Sequence, residues 1–134
     1  MKPKTKKRTS GCPVSFGLDV FGDKWTLLII RDIMLGGKRT YSEFLQADEG
    51  IASNILICRL KQLENDAIVE KSRDPNNRRS FVYQLTQKGR DLAPIILEIV
   101  TWSAAHDDRP NAQREAFDKI LLDRNGFEAE LRKG

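Results

Sequence analysis

Apolar side chains recur at helical spacing along most of this chain, until the pattern becomes extended near residue 69. A first apolar stripe follows Pro13, a residue suited to the first turn of a helix, and ends at Gly22. A second predicted helix runs from a cap at Asp23 to Met34. It is apolar on more than one face, so other elements have to cover it on more than one side.

A short third helix is predicted next. Thr40 and Glu43 have the spacing of a capping box, in which each side chain binds a free backbone N–H of the other residue. Phe44 and Leu45 supply its buried side, and Gly50 marks a tight turn after it.

A fourth helix is predicted over about 53–65. Ser53 is expected to cap it, and Leu56, Leu60 and Leu63 share one face at the i, i+4, i+7 spacing. The polar side chains of this helix therefore point away from the core.

The period then changes to that of strands. Two β-prone runs within about 70–85 are joined by residues 74–77, Asp-Pro-Asn-Asn, which predicts a hairpin. Thr86 is expected to cap a long helix that Pro94 bends, and a last helix is expected from about Asn111 to Arg124.

This order predicts a mainly α fold with a small β-hairpin, in the layout of a winged helix-turn-helix. A three-helical DNA-binding core would carry additional terminal helices. We divide the chain into a disordered basic arm at 1–11, the winged helix-turn-helix with its dimerisation helices at 12–105, and a helical extension at 106–134.

Composition excludes several classes of protein. The 134 residues contain no apolar run near the length of a membrane span and no signal peptide, so we expect a cytoplasmic protein that does not enter a membrane. Two cysteines and one histidine have no metal-ligand spacing, and no phosphate-binding loop or catalytic triad is present. We therefore expect no metal, no cofactor and no enzymatic activity.

The net charge of +4 is unevenly distributed. The basic excess lies in residues 1–11 and in the middle of the chain, which suits a polyanionic partner such as double-stranded DNA. A solvated basic tail is the alternative interpretation.

The outward face of the fourth helix carries the candidate base contacts. Asn54 suits adenine and Ile57 suits a thymine methyl group, whereas Ser53 or Lys61 suits phosphate or guanine. Cys58 completes this face. The alternative is a helix whose polar side only faces water, and its position between a capped short helix and a basic hairpin argues against that.

The hairpin tip and the short helix add candidate backbone contacts. Residues 71–79 hold four basic side chains and one acidic one, which suits the DNA backbone or the minor groove, although a solvated turn is the alternative. The candidates are Arg73, Arg78 and Arg79 in the hairpin, and Lys38, Arg39, Tyr41 and Ser42 at the start of the short helix.

Several spaced motifs resemble the HxlR-type transcriptional regulators. They cover roughly residues 12–103 and are, in order, 12–14 (CPV), 18–20 (LDV), 22–32 (GDKWTLLIIRD), 41–44 (YSEF), 50–52 (GIA), 59–64 (RLKQLE) and 83–90 (YQLTQKGR). The resemblance implies a small bacterial DNA-binding protein similar in fold to the MarR-type dimers. It predicts a homodimer paired through the first and last helices of the shared region, with the final helix extending the interface. The implied interface residues are Val14, Leu18, Phe21, Leu92, Ile95, Ile96, Ile99 and Trp102.

The chain departs from the family after the fourth helix, where Ala67 replaces the usual glycine. We expect Asn65 or Asp66 to take the left-handed conformation there, or the turn to differ. Residues 52–54 and 57–58 also differ from those that family members often carry, so the operator sequence is not inferred from the family. The extension after residue 106 lies beyond the shared region.

Cys12 matches the position of the family's N-terminal cysteine. Some family members resemble redox sensors that use this thiol against oxidants or electrophiles. A helix start with basic residues upstream favours the reactive thiolate, whereas a packed thiol at the dimer seam is the alternative. Oxidation of Cys58 would disturb DNA contact if the thiol is exposed, and a disulfide from Cys12 to Cys58 of the other subunit is a hypothesis. The resemblance allows a small-molecule effector or an oxidant as the signal, and the sequence does not identify which.

The sequence thus favours a homodimeric, sequence-specific regulator of transcription, and a repressor over an activator. The alternatives are a winged-helix module for protein contacts without specific DNA binding, against which the basic hairpin argues, and a ligand-responsive enzyme or carrier, for which no polar pocket is evident.

Overall fold

The computed structural model describes residues 10–134. Most of the predicted basic arm at 1–11 lies outside these residues, so that prediction stays untested.

The described chain has seven helices and a two-stranded antiparallel sheet, which confirms the predicted mainly α class with one hairpin. The elements are α1 (Pro13–Phe21), α2 (Lys24–Met34), α3 (Tyr41–Leu45), α4 (Ser53–Asn65), β1 (Val69–Asp74), β2 (Asn77–Leu85), α5 (Gln87–Arg90), α6 (Ala93–His106) and α7 (Glu115–Lys133). Among the residues that the structure describes, no helix is both long and apolar enough to cross a membrane.

The core lies between α2, α4, the hairpin and α6. Ile30 of α2 is fully buried, as are Leu56 of α4 and Leu97 of α6, and the Phe44 ring meets the Tyr83 ring edge-on. The predicted inward face of α4 is confirmed, since Leu60 and Leu63 are also buried.

Two of the predicted helix starts are confirmed. Asp23 precedes α2 and its carboxylate accepts a hydrogen bond from the Thr26 backbone N–H, while Thr40 and Glu43 form the complete capping box of α3. These caps satisfy backbone donors that lack partners within the helix.

The predicted bounds of α4 agree with the structure, but the predicted cap is wrong by one residue. Ser53 is the first residue of the helix, and Ala52 holds the cap position without a side-chain acceptor. Because α4 starts one residue earlier than a cap at Ser53 requires, the Ser53 hydroxyl faces outward and is free for another role.

The turn after α4 also differs from the prediction. Ala67 itself takes the left-handed conformation at a φ of 58°, in place of Asn65 or Asp66. The Ile68 N–H donates to the Leu63 carbonyl and the Ala67 N–H to the Glu64 carbonyl, which is the Schellman arrangement. Burial of Ile68 and Leu63 holds the turn in this conformation although alanine disfavours it.

The hairpin is fastened to the start of α3. Beyond the β1–β2 ladder, the Tyr83 N–H donates to the Arg39 carbonyl over 2.8 Å, and Thr40 forms an isolated bridge with Val82. The hairpin and α3 therefore have a fixed mutual orientation.

The predicted long helix after Thr86 is two helices. Thr86 caps α5 alone, and Pro94 stands in the first turn of α6, where it starts a helix instead of bending one. Proline has no N–H to donate and its ring clashes with the carbonyl four residues earlier, so the helix ends at Arg90 and begins again at Ala93.

The last helix starts later and runs further than predicted. α7 spans Glu115–Lys133, with non-helical backbone angles at Asp123 that divide it into two parts. The Asp123 carboxylate accepts from the Gly126 N–H, which caps the second part. α7 packs along α6, where Arg124 pairs with Glu98.

Candidate DNA-binding surface

The exposed face of α4 is built by the burial of its leucines. With Leu56, Leu60 and Leu63 in the core, the opposite side of the helix faces outward. The predicted base-contacting residues are all exposed and share this face: Ser53, Asn54, Ile57, Cys58 and Lys61.

Arg59 fastens α4 to the start of α2. Its Nε donates to Asp23 Oδ2 over 2.8 Å and its Nη2 to Oδ1 over 3.3 Å. The hydrogen bond from Arg59 lowers the pKa of Asp23 against the opposing effect of burial. One carboxylate thus caps α2 and orients α4.

A second arginine holds the turn before α4. Arg31 of α2 donates through both terminal nitrogens to Glu49, over 2.7 and 2.9 Å, and also binds Asp32. The hydrogen bonds from Arg31 lower the pKa of Glu49 to about 2. Gly50 follows at a positive φ of 71°, which suits glycine and reverses the chain into α4.

Sequence reasoning assigned no role to Arg59, Arg31 or Glu49. Their partners lie 36 and 18 residues away, so no local spacing reveals the pairs. The only signal was that Asp23 and Arg59 both occur in motifs of the resemblance.

The four candidates around the start of α3 are not equally available. Arg39 and Ser42 are exposed, whereas Tyr41 is half-buried against the core. Lys38 is half-buried too, with its Nζ 3.7 Å from Asp32 Oδ2. Arg39 and Ser42 therefore present the freer groups.

The wing, which we define as residues 69–85, has a braced base and a free tip. Lys71 Nζ lies 4.2 Å and Arg73 Cζ 5.0 Å from the centre of the Phe81 ring, and Arg73 Nη1 also donates to the Arg78 carbonyl. Arg78 and Arg79 are exposed, and no ion pair within residues 10–134 engages either guanidinium.

The residues implied for a dimer interface divide into two groups. Val14, Leu18 and Trp102 are 66%, 57% and 67% exposed, Ile99 is exposed as well, and Phe21 and Ile95 are half-buried. Leu92 and Ile96 are only 8% and 5% exposed because they pack in the core of their own chain. The structure therefore corrects the implied set by removing these two residues from the available surface.

Both cysteines are free and exposed. Cys12 occupies the cap position of α1, and Cys58 lies on the outward face of α4 with its sulfur 3.5 Å from Arg59 Nη1. Within the described part of the chain, no group of three or more histidine, cysteine or acidic side chains is placed to hold a metal ion.

The sequence and the fold match known proteins. The family model described as HxlR-like helix-turn-helix matches residues 20–111, from the end of α1 through α6. The chain belongs to the HxlR-like helix-turn-helix family. This confirms the resemblance drawn from the sequence motifs, and α7 lies beyond the matched region.

Individual relatives agree with this assignment. YdeP of Bacillus subtilis (strain 168), an uncharacterized HTH-type transcriptional regulator, is 33% identical over 82% of this chain and 88% of its own length. The redox regulator HypR in its oxidized form has a TM-score of 0.65 at 34% identity, covering 73% of this chain and 100% of HypR. A structure assigned to the MarR family, from Porphyromonas gingivalis W83, has a TM-score of 0.62 at 33% identity over 77% of this chain and 99% of that one.

This HxlR-like protein is therefore a transcriptional regulator of the helix-turn-helix type with a winged-helix fold. Its relatives are bacterial regulators, which are a non-catalytic class of protein.

Proposed function

We propose that this protein is a homodimer that binds a specific sequence of double-stranded DNA and represses transcription from it. The observation that carries the proposal is the exposed face of α4 beside a wing whose tip arginines have no ion pair among the described residues. A helix of this size fits the major groove, and a basic hairpin beside it reaches the backbone or the minor groove.

In this proposal α4 reads the bases. Asn54, in the first turn, forms paired hydrogen bonds with adenine, and Ile57, one turn later, contacts a thymine methyl group. Ser53 and Lys61 bind phosphate or guanine at either side of them. Cys58 lies on the same face, so any bulky adduct on its sulfur opposes docking.

The wing and the start of α3 supply phosphate contacts. Arg78 and Arg79 reach the backbone or the minor groove, while Arg73 and Lys71, held against Phe81, present a rigid base. Arg39 and Ser42 bind phosphate near the N-terminus of α3, assisted by Tyr41 and Lys38.

Support for a homodimer comes from α1. This helix is apolar, and none of its residues is buried in the single chain. Exposed apolar patches of this kind mark interaction sites. We propose that Val14, Leu18 and Phe21 of α1 pair with Ile95, Ile99 and Trp102 of α6 around a two-fold axis, so that two copies of α4 read a near-palindrome.

Cys12 is the proposed redox sensor, in keeping with the similarity to the redox regulator HypR. A two-electron oxidant such as a quinone or a peroxide would take two electrons and two protons from two thiols, forming one disulfide. Exposure of both cysteines makes Cys12 of one subunit and Cys58 of the other the proposed pair. Non-reducing electrophoresis after mild oxidation tests it, and a cross-linked dimer that survives Cys58→Ser rules out this pairing.

DNA binding is tested by fluorescence anisotropy after selection of an operator from a random library. Asn54→Ala should alter base preference, whereas Arg79→Ala should weaken all sequences alike and reduce the salt slope by about 1. Arg109→Ala is the control, because this arginine is exposed in the segment between α6 and α7. Lack of binding to any duplex at low salt would overturn the proposal and favour a protein-binding module, and a reporter gene behind the operator checks repression.

The homodimer is tested separately by analytical ultracentrifugation. Leu18→Glu should give monomers, because it places a charge in the proposed apolar interface. Ile57→Glu is the matched control: it is also exposed and apolar, yet lies on α4. It should leave the mass unchanged and abolish DNA binding, and a wild-type monomer would contradict the proposal.

A further inference from the structure

The short helix α5 is a junction between the DNA-facing elements and the C-terminal helix. At its start, Thr86 Oγ1 donates to the Ala67 carbonyl over 2.6 Å, and the Thr86 N–H donates to the Ile68 carbonyl. Lys88 Nζ donates to the Asp66 carbonyl at the end of α4 over 2.7 Å. These bonds fasten α5 to the turn that joins α4 to the wing.

Arg90, the last residue of α5, joins two further elements. Its Nη1 donates to the Leu85 carbonyl at the end of β2 over 2.7 Å, and its Nε donates to the Arg132 carbonyl in the last turn of α7 over 3.0 Å. Both bonds are partly buried, and Arg90 Nη2 binds the Gln87 side chain. A rigid guanidinium group with several donors in one plane suits such a bridge.

Side chains of the last turn of α7 reinforce this link. Arg132 Nη1 lies 3.2 Å from Asp91 Oδ1, and Arg132 Nε lies 3.2 Å from Glu128 Oε2. The region that matches the family model ends at residue 111, so the α7 side of this link comes from a segment outside the shared region.

We propose that the last turn of α7 acts through Arg90 to set the orientation of the wing and of the end of α4 for DNA binding. Arg90 is thus a positioning residue that touches no DNA. The inference rests on the proposed DNA-binding function and adds to it a role for the C-terminal extension.

The physical reason lies in the length of α5. A helix of four residues has too few internal hydrogen bonds to hold an orientation by itself, so its tertiary bonds decide where it points. Those bonds reach the wing on one side and α7 on the other. Loss of the Arg90 bridge therefore frees the base of the wing while leaving the core packed.

Three variants with the same charge change test the proposal. Arg90→Gln removes the bridge, and Arg132→Gln removes only the ion pairs that hold the last turn of α7. Arg124→Gln removes the pair between α6 and α7 and a 3.8 Å pair with Glu128, and it leaves the bonds of Arg90 and Arg132 in place. Affinity for the selected operator is measured over a salt series, and hydrogen exchange of the amides of the wing base is measured without DNA.

We expect Arg90→Gln to bind the operator about 10-fold more weakly and to lower the salt slope by about 1 for each phosphate that the wing no longer reaches. The amides of Glu70 and Gln84, which pair across the ladder at the wing base, should exchange faster than in wild type. Arg132→Gln should give a smaller change in the same direction, and the double variant should bind no more weakly than Arg90→Gln alone, because both act through one bridge. Arg124→Gln should resemble wild type.

Equal reductions of affinity in Arg90→Gln and Arg124→Gln would overturn the proposal, because a general change of charge would then explain both. Unchanged exchange at the wing base in Arg90→Gln would overturn it too. If Arg90→Gln fails to fold, Arg132→Gln decides by the same two measurements. Failure of the wild type to bind DNA would instead reject the proposed function, and hydrogen exchange would still test the mechanical link.

Discussion

The half of the molecule from α3 through the wing, which carries the proposed DNA contacts, differs from helices α1, α6 and α7 in how many of its large apolar side chains are exposed. Eight large apolar side chains are exposed in the described part of the chain, and seven of them lie on the terminal helices. Ile57 on α4 is the exception. The half from α3 through the wing buries nearly all of its large apolar side chains and exposes polar and basic groups. The helices α1, α6 and α7 leave large apolar side chains exposed.

The difference indicates what each half needs as a partner. A charged surface whose wing-tip arginines have no ion pair among residues 10–134 suits a polyanion, and an apolar surface suits another protein surface. Four substitutions can break or sharpen this comparison, and they follow in decreasing order of expected effect.

The largest effect is expected from Leu56→Ala on α4. This side chain is fully buried, so its truncation should lower the free energy of unfolding by about 2–5 kcal/mol at any protein concentration. Leu18→Ala on α1 should cost about 0.5 kcal/mol or less in the monomer and more as dimer forms. Urea denaturation at two protein concentrations distinguishes them, and a concentration-independent effect of Leu18→Ala would break the comparison.

Gly89→Ala should have the next largest effect on stability. A Cβ at this buried position in α5 would lie 2.3 Å from the Ile68 carbonyl oxygen, so the backbone has to shift at a cost of about 1–3 kcal/mol. Gly17→Ala in α1 is the control, because its Cβ meets only the end of the flexible Phe21 ring. Thermal denaturation should show a lower Tm for the first variant and no decrease for the second; similar decreases would mean that α1 is packed as tightly as α5.

Ala67→Gly should stabilise the protein by about 1 kcal/mol, because glycine adopts the left-handed conformation of this residue without strain. Ala104→Gly within α6 is the opposite-sign control, with a cost of about 1 kcal/mol. Denaturant titration measures both. A destabilised Ala67→Gly would show that the turn after α4 is not strained.

The smallest effect is expected from Glu49→Gln in the turn before α4. Because Arg31 lowers the pKa of Glu49 from 4.5 to about 2, the ionised carboxylate stabilises the fold above pH 4.5. This contribution is lost as the pH falls toward 2, so wild type and variant should converge in acid and differ at neutral pH. A constant difference across an acid denaturation series would contradict the assigned ion pair, and Asp48→Asn is the exposed neighbouring control.

Local signals in the sequence were enough for most of the elements. The capping box at Thr40 and Glu43, the leucine spacing of α4 and the turn residues between β1 and β2 each act over a few residues, so each predicted its element. The motifs likewise led to the family, which the family model confirms. The outward face of α4 followed from the same periodicity, although the DNA contacts drawn from it stay predictions.

The tertiary structure decided what depends on distant neighbours. It placed the left-handed turn at Ala67, kept Leu92 and Ile96 in the core of their own chain, and paired Arg59 with Asp23 and Arg90 with the carbonyl of Arg132. The sequence by itself determined which segments fold and which faces are apolar, because those properties are local. Which strained turn is held, which apolar residues remain free, and which arginine joins the extension to the wing depend on packing between segments far apart in the chain, and only the folded molecule brings those segments together.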